Sequence, residues 1–219
     1  MLKKMKNDFT KIACVLDRSG SMNGGMILEA RNGFNNFVEE QKKEPGYASI
    51  TVTIFDDKIE KLYAGNLENC PELTKENFFP RGMTSLYDAI GTTISSVGVE
   101  LSQLAEGDRP GKVIVLIITD GFENSSREYY SYKIKDMIKE QREKYNWQFI
   151  FMGANEESIG DAKDLGIGVR LRYNFTQSGS RDAYSAMSAS ASVLRSGESV
   201  NSNTYTNFQN LSADIDEEE

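Results

Sequence analysis

The sequence predicts an α/β protein, a three-layer sandwich built around a mostly parallel sheet. Short apolar runs alternate with longer segments in which apolar residues recur at helical spacing. The run KVIVLIIT at 112–119 has no polar alternation, which is typical of a strand buried on both faces of a parallel sheet. The segments SITVTIFDD and KIEKLYAG are typical of a β-hairpin with a two-residue Asp56-Asp57 turn. One antiparallel strand is therefore expected beside the parallel ones.

The remaining elements follow in order along the chain. The expected strands are 11–17, 49–57, 58–65, 112–119, 147–154 and 168–175. The expected helices are 26–43, one that opens at GMTSLYDAI and runs beyond residue 100, then 131–145, 156–165 and 180–194. Residues 66–81 are expected to form a loop with a short helical turn after Thr74.

The chain of 219 residues has the length of one domain and a tail. We expect a basic N-terminal lead at 1–10, a folded domain at 11–197 and a polar, acidic, flexible tail at 198–219. The longest apolar run, 113–118, is too short to span a bilayer, and the N-terminus lacks the features of a signal peptide. Cytoplasmic localisation without membrane insertion is the resulting expectation. Cys14 in a strand and Cys70 in a loop are expected to stay unpaired.

The composition excludes several classes of function. The chain contains no histidine, which removes serine or cysteine catalysis through a histidine base and the common zinc sites. Any metal must be held by oxygen ligands, which favours magnesium, manganese or calcium. A net charge of -8 and the lack of a basic stripe argue against nucleic acid as a partner.

Polar side chains follow the strand ends. Asp17 ends the first apolar strand and is followed by Ser19 and Ser21, while Asp120 ends the most apolar strand and Thr84 precedes a helix. Ligands of such sheets bind at the carboxyl ends of the strands. An isolated carboxylate beside a core is costly unless something binds it. Taken singly, the serines are equally well explained as helix caps and Asp120-Gly121 as a turn.

Three ordered motifs, DRSGS at 17–21, GMTSLYDAI at 82–90 and IITDG at 117–121, resemble the von Willebrand factor A (VWA) domain family. The resemblance covers residues 11–175 and includes the metal-ion-dependent adhesion site, MIDAS. It implies that a divalent ion, Mg²⁺ or else Mn²⁺ or Ca²⁺, is held by five residues with one coordination position left open. These residues are Asp17, Ser19, Ser21, Thr84 and Asp120.

The resemblance also implies a function. We expect a protein-binding module, an adaptor that engages a glutamate or aspartate of a partner protein through the metal. The chain resembles stand-alone intracellular members encoded by bacteria and phages, some of which assemble with AAA+ ATPases. Two alternatives stay open: a magnesium-dependent phosphohydrolase, and a self-assembling protein that uses the metal site between subunits. A phosphohydrolase of the aspartate-nucleophile class carries D-x-D after the first strand, whereas here the third position is Ser19, so we expect no enzymatic activity.

Four neighbouring features receive separate expectations. Asp88 is expected to favour the dipole of its helix or to hold the Asp17 loop, and Arg18 to point to solvent or to the partner. Of the tyrosines at 129, 130 and 132, at least one is expected to pack under a helix and the rest to form a recognition surface. The acidic segment 214–219 is expected to be a solubilising tail, with docking at the metal site of its own or a neighbouring subunit as the alternative.

Overall fold

The computed structural model describes residues 8–173, 176–208 and 210–216. Within these ranges the strands are β1 (Phe9–Asp17), β2 (Tyr47–Phe55), β3 (Ile59–Asn66), β4 (Lys112–Thr119), β5 (Gln148–Gly153), β6 (Val169–Tyr173) and β7 (Leu211–Ile215). The α-helices are α1 (Gly25–Lys43), α2 (Leu86–Ser102), α3 (Ser131–Tyr145), α4 (Glu156–Asp164) and α5 (Gln177–Ser196). Each predicted strand and helix is present, with boundaries shifted by a few residues.

The strands form one sheet in the order β3-β2-β1-β4-β5-β6-β7. The five inner strands of this order, β2, β1, β4, β5 and β6, are mutually parallel. The edge strands β3 and β7 pair antiparallel with their neighbours. The predicted α/β sandwich with a mostly parallel sheet and an antiparallel hairpin strand is thus confirmed. The second antiparallel strand, β7, was not expected.

The core consists of two apolar layers, one on each face of the sheet. In β1, Ile12, Cys14 and Leu16 face the layer that α1 and α5 cover. Ala13 and Val15 face the layer beneath α2, α3 and α4. All five of these side chains are at most 2 % exposed, which explains why the run carries no polar alternation. β1 and its neighbour β4 are thus inner strands of the sheet.

The turn between β2 and β3 is longer than predicted. It spans Asp56 to Lys58, and the Asp56 carboxylate accepts a hydrogen bond from the Lys58 amide at 2.8 Å while the Asp56 amide donates to the Lys58 carbonyl at 3.1 Å. A side chain that bonds its own turn replaces the glycine that a two-residue turn needs.

The expectation of a flexible tail at 198–219 was wrong for the segment that contains β7. Leu211, Ala213 and Ile215 pack against the apolar layer at every second position, and β7 adds a ladder to β6. Asp216, which directly follows β7, forms a bidentate ion pair with Arg170 of β6, with both N···O distances 2.8 Å. The period-two pattern was present in the sequence, but the neighbouring acids obscured it.

The direction of β7 bears on the acidic tail. Leu211 lies opposite Tyr173 and Ile215 opposite Val169, so the chain runs away from the carboxyl ends of the parallel strands. Asp214 lies opposite Arg170, and Asp216 follows β7 toward the amino end of β6, away from the strand end that Asp17 and Asp120 mark on β1 and β4. Glu217, Glu218 and Glu219 lie outside the described residues, as does most of the predicted basic lead.

Both cysteines are buried and unpaired, as expected. Within the described ranges, no helix is both long enough and apolar enough to cross a membrane.

Candidate metal centre

Two aspartates end neighbouring strands at the centre of the sheet. Asp17 is the last residue of β1, and Asp120 directly follows β4. These strands are parallel with Leu16 opposite Ile118, so their ends lie at the same edge. Thr84 reaches this edge from the loop that precedes α2.

Among the described residues, the groups that donate to the buried Asp17 carboxylate are an amide and a hydroxyl rather than a basic side chain. Its Oδ1 accepts a hydrogen bond from the Ser19 amide at 2.6 Å and its Oδ2 one from the Thr119 hydroxyl at 2.5 Å. Burial, the largest influence, raises the pKa of Asp17 from 3.8 to about 6, because the hydrogen bonds from Thr119 and Ser19 offset it only in part and the charge of Asp120 adds to it. The carboxylate form of Asp17 is therefore under-stabilised by the protein itself.

Ser19 and Ser21 link the loop after β1 to Asp120 by hydrogen bonds. The hydroxyl oxygens of Ser19 and Ser21 are 2.8 Å apart, and the Ser21 hydroxyl donates to Asp120 Oδ1 at 2.9 Å. Burial raises the pKa of Asp120 as well, although the Ser21 hydrogen bond opposes it. Adjacent ligands of an octahedral magnesium ion, with bonds of about 2.1 Å, lie about 3.0 Å apart. The observed spacings match that geometry.

Gly121 leaves the space among the three loops open. A Cβ atom at this position would lie 3.0 Å from Thr84 Oγ1, 3.1 Å from Ser21 Oγ and 3.5 Å from Asp17 Oδ2. Oxygen atoms from the first and second loops therefore converge on one small volume beside Gly121 of the third loop, and any larger residue at 121 would fill it. The residue types and their spacing fit a hard divalent cation.

The structure thus brings all five predicted ligands to one edge of the sheet. The described residues contain no cluster of three or more His, Cys, Asp or Glu side chains suited to a metal ion. The candidate centre has a different composition, since it offers only two carboxylates and takes its other oxygens from hydroxyl groups. Fewer direct charges leave a bound ion with more positive character.

The loop after β4 is anchored to α2 by acidic side chains. Asp88 accepts hydrogen bonds from the amides of Arg127, Glu128 and Tyr129 at 2.8 to 2.9 Å. The expectation that Asp88 holds the Asp17 loop was wrong, because its carboxylate points to the loop that carries Asp120. Its position in the first turn of α2 was predicted correctly.

Two further supporting residues escaped the sequence reasoning. Glu123 accepts from the Tyr87 amide at 2.9 Å, and the side chain of Asn124 accepts from the Thr84 amide at 2.9 Å. The Asn124 amide donates back to the Thr84 carbonyl at 3.0 Å. Acidic and amide residues a few positions after a strand are common in turns and loops, so nothing in the sequence distinguished these roles.

Arg18 does not point to solvent, and that expectation was wrong. It is 2 % exposed and donates to Asp56 at 2.8 Å and to Glu60 at 2.5 Å. Arg81 binds the same two acids, at 2.6 Å for Asp56. The four side chains tie the first site loop to the β2–β3 turn and to the loop that leads to Thr84. Sequence alone could not pair residues so far apart in the chain.

The tyrosines divide as expected into one packed ring and two exposed ones. The Tyr129 ring lies against Gly91 of α2, where an added Cβ would lie 2.5 Å from the ring. Tyr130 and Tyr132 are 58 % and 67 % exposed and stack with ring centroids 6.0 Å apart. Of the three tyrosines, Tyr130 and Tyr132 are therefore the exposed ones.

The chain was compared with known proteins in sequence and in fold. No family model matches the sequence. Inter-alpha-trypsin inhibitor heavy chain H3 of Rattus norvegicus is 26 % identical over 174 residues, which are 76 % of this chain but only 17 % of that protein. The von Willebrand factor type A structure from Catenulispora acidiphila has a TM-score of 0.60 at 13 % identity, over 85 % of this chain and 48 % of that one.

A second solved structure carries a metal. The manganese-loaded Plasmodium vivax TRAP protein has a TM-score of 0.51 at 14 % identity, over 73 % of this chain and 63 % of that one. The chain therefore has the fold of a von Willebrand factor A domain.

Proposed function

We propose that this chain is a divalent-metal-dependent protein-binding module whose MIDAS engages an acidic side chain of a partner protein. The observation that carries the proposal is the convergence of Thr84 Oγ1, Ser21 Oγ and Asp17 Oδ2 on the volume that Gly121 leaves open. The VWA fold and the manganese carried by the TRAP protein support the same conclusion.

Each ligand has a definite task in this proposal. Ser19, Ser21 and Thr84 offer hydroxyl oxygens, and Asp17 and Asp120 supply the negative charge. A divalent ion held there provides a coordination position that attracts a carboxylate from outside. Ser21 is exposed whereas Asp17 and Ser19 are buried, so a partner approaches from the side of Ser21.

We propose further that the site does not catalyse a reaction. Phosphoryl transfer needs a nucleophile or activated water and a cation that neutralises developing charge. Arg18 cannot supply that cation, because it is buried between Asp56 and Glu60. A phosphatase assay with magnesium or manganese that detects turnover lost on Asp17→Asn would overturn this part.

The role we propose is that of an adaptor in the cytoplasm, of the kind that bacteria and phages encode. An AAA+ ATPase is one candidate for the partner, and a second copy of the chain is another. Buried, unpaired Cys14 and Cys70 are in keeping with a reducing compartment. Cell fractionation followed by blotting tests the location.

Affinity capture tests the binding function. The immobilised protein should retain a partner in magnesium and release it in EDTA. Thr84→Ala should lose that partner, while Asp108→Asn, an exposed acid in the turn before β4, should keep it. Retention that is equal in magnesium, in EDTA and in Thr84→Ala would refute metal-dependent binding.

A further inference from the structure

Two large apolar side chains stand in solvent on the loops that form the metal centre. Met83 directly precedes Thr84 and is 52 % exposed, and Phe122 directly follows Gly121 and is 44 % exposed. Neither belongs to the two apolar layers of the core. About half of each side chain is therefore left in contact with solvent, outside the core.

The two loops that carry these side chains are bonded to each other. The Thr84 amide donates to Asn124 Oδ1 at 2.9 Å, and the amides of Asn124 and Ser125 donate to the Thr84 carbonyl at 3.0 and 3.3 Å. The backbone on which Met83 and Phe122 stand is thus fixed relative to the ligand oxygens. A contact surface on a rigid base loses less conformational entropy when a partner binds.

A third apolar side chain lies on the same loop as Met83. Phe79 is 39 % exposed, and the guanidinium groups of Arg18 and Arg81 lie 5.9 and 5.6 Å from its ring centroid. The Arg81 amide donates to the Arg18 carbonyl at 2.9 Å. Both arginines are themselves held by Asp56, so the Phe79 ring is positioned by the buried ion pairs.

The placement of these residues differs from that of other exposed apolar residues. Val99 and Tyr145 lie near the C-terminal ends of α2 and α3, away from the ligand loops. Scattered apolar residues of this kind are ordinary on protein surfaces, whereas a group around a polar centre marks an interaction site. Phenylalanine and methionine are among the residues enriched in the centres of protein interfaces.

We propose that the partner presents an acidic residue with a large apolar residue beside it, and that Met83 and Phe122 read this apolar neighbour. The inference rests on the proposed function, because the acidic residue is the one that the metal engages. A carboxylate alone is present on every protein, so the metal position gives little discrimination. The apolar contact supplies the selectivity.

A protein partner fits better than a membrane. The chain has a net charge of -8, which opposes approach to an anionic lipid surface. A site built to accept one carboxylate beside a small apolar surface matches a peptide segment in size and in chemistry.

A display library of short peptides tests the proposal. Each peptide carries one fixed glutamate between randomised neighbours, and a matched library carries glutamine instead. In manganese the wild-type protein should enrich glutamate peptides with Leu, Ile, Phe or Met beside the acid. The double variant Met83→Ser/Phe122→Ser should bind the selected peptide roughly tenfold or more weakly. Its manganese affinity should equal that of the wild type.

The matched control is Val99→Ser/Tyr145→Ser, which removes equally exposed apolar groups elsewhere and should leave selection unchanged. Enrichment of glutamate without an apolar neighbour, or an apolar preference that survives in Met83→Ser/Phe122→Ser, would overturn this inference and leave the proposed function intact. Equal enrichment from the glutamate and glutamine libraries would overturn both. Binding of the wild type to phosphatidylserine vesicles that the double variant loses would assign the surface to a membrane instead.

Discussion

Two pairs of acids lie at the same edge of the sheet, and the protein surrounds them in opposite ways. Asp56 and Glu60 share two arginines, Arg18 and Arg81. Burial alone would raise the pKa of Asp56, but hydrogen bonds from Arg81 and the Lys58 amide and the two arginine charges hold it below its usual range. The pKa values of Asp17 and Asp120 are raised, and no basic side chain is among the influences on either.

The contrast separates an arginine-paired cluster from the cluster of candidate metal ligands. The charge of Asp56 is balanced by arginines of the protein itself, and these ion pairs hold the loops together. An acid buried without such a partner has a charge that a proton or an exchangeable cation can neutralise. The first cluster ties together the loops that carry the candidate ligands.

The largest effect is expected where the permanent pair is broken. Arg18→Ala leaves Asp56, which is 0 % exposed, without its buried partner. Loss of one member of a buried pair costs about 3–5 kcal/mol, and for a domain of this size the melting temperature should fall by about 10 °C. Denaturant unfolding followed by the fluorescence of Trp147, the only tryptophan, measures the change.

Arg81→Ala is the control for that experiment. Arg81 is 37 % exposed, so water replaces it more easily and the loss of stability should be smaller than for Arg18→Ala. Equal stability of Arg18→Ala and the wild type would show that the cluster does not hold the loops.

Substitution of an unpaired acid should raise the stability of the metal-free protein, whereas Arg18→Ala should lower it. Asp17→Asn removes a charge that burial disfavours, so without metal near neutral pH the free energy of unfolding should rise by about 1–3 kcal/mol. Urea unfolding in EDTA measures it. A variant that is less stable than the wild type would mean that the Asp17 carboxylate is structural.

The pH dependence follows from the same pKa shift. The pKa of Asp17 is about 6 in the folded protein and near 3.8 in the unfolded chain. Between these pH values the folded state holds a proton on Asp17 that the unfolded chain has released. The stabilising contribution is fully present below 3.8 and is lost as pH rises through 6, because the folded state binds more protons in that window. Asp17→Asn should lack this loss, which unfolding curves collected across the window will show.

Magnesium should offset the free-energy cost of burying the ionised Asp17 carboxylate. At a concentration of about ten times its Kd, the ion should add about 1.4 kcal/mol to the stability of the wild type and nothing to that of Asp17→Asn. Thermal unfolding with magnesium and with EDTA gives the difference. Equal stabilisation of both proteins would indicate that the ion acts elsewhere.

The smallest effect is expected at a third acid–arginine pair, which is remote from the site. Asp216 is 52 % exposed and pairs with Arg170 at the end of β7. Because water screens an exposed pair, Asp216→Asn should cost about 0.2–1 kcal/mol and leave metal affinity unchanged. A change in metal affinity would link β7 to the centre.

The sequence predicted the fold and the position of the site because both depend on local patterns. The apolar runs of β1 and β4 fix two buried parallel strands, and Asp17 and Asp120 mark their ends. The helix from 131 was predicted from apolar spacing, and Ile134 and Ile138 of that pattern are buried.

What the sequence did not predict depends on long-range contacts or on competing signals. The ion pair between Arg18 and Asp56 joins residues 38 positions apart, and no local pattern carries that information. The direction of the Asp88 carboxylate depends on how the loop at 127–129 folds back. β7 was missed because five residues with a short apolar alternation were outweighed by the acids around them.

If Asp17 and Asp120 hold a divalent ion, a calorimetric titration with manganese near neutral pH will detect it. We expect one site in the wild type, in Asp108→Asn and in Arg81→Ala, and none in Asp17→Asn or Thr84→Ala. Binding of manganese with unchanged affinity and stoichiometry in both Asp17→Asn and Thr84→Ala would contradict this expectation.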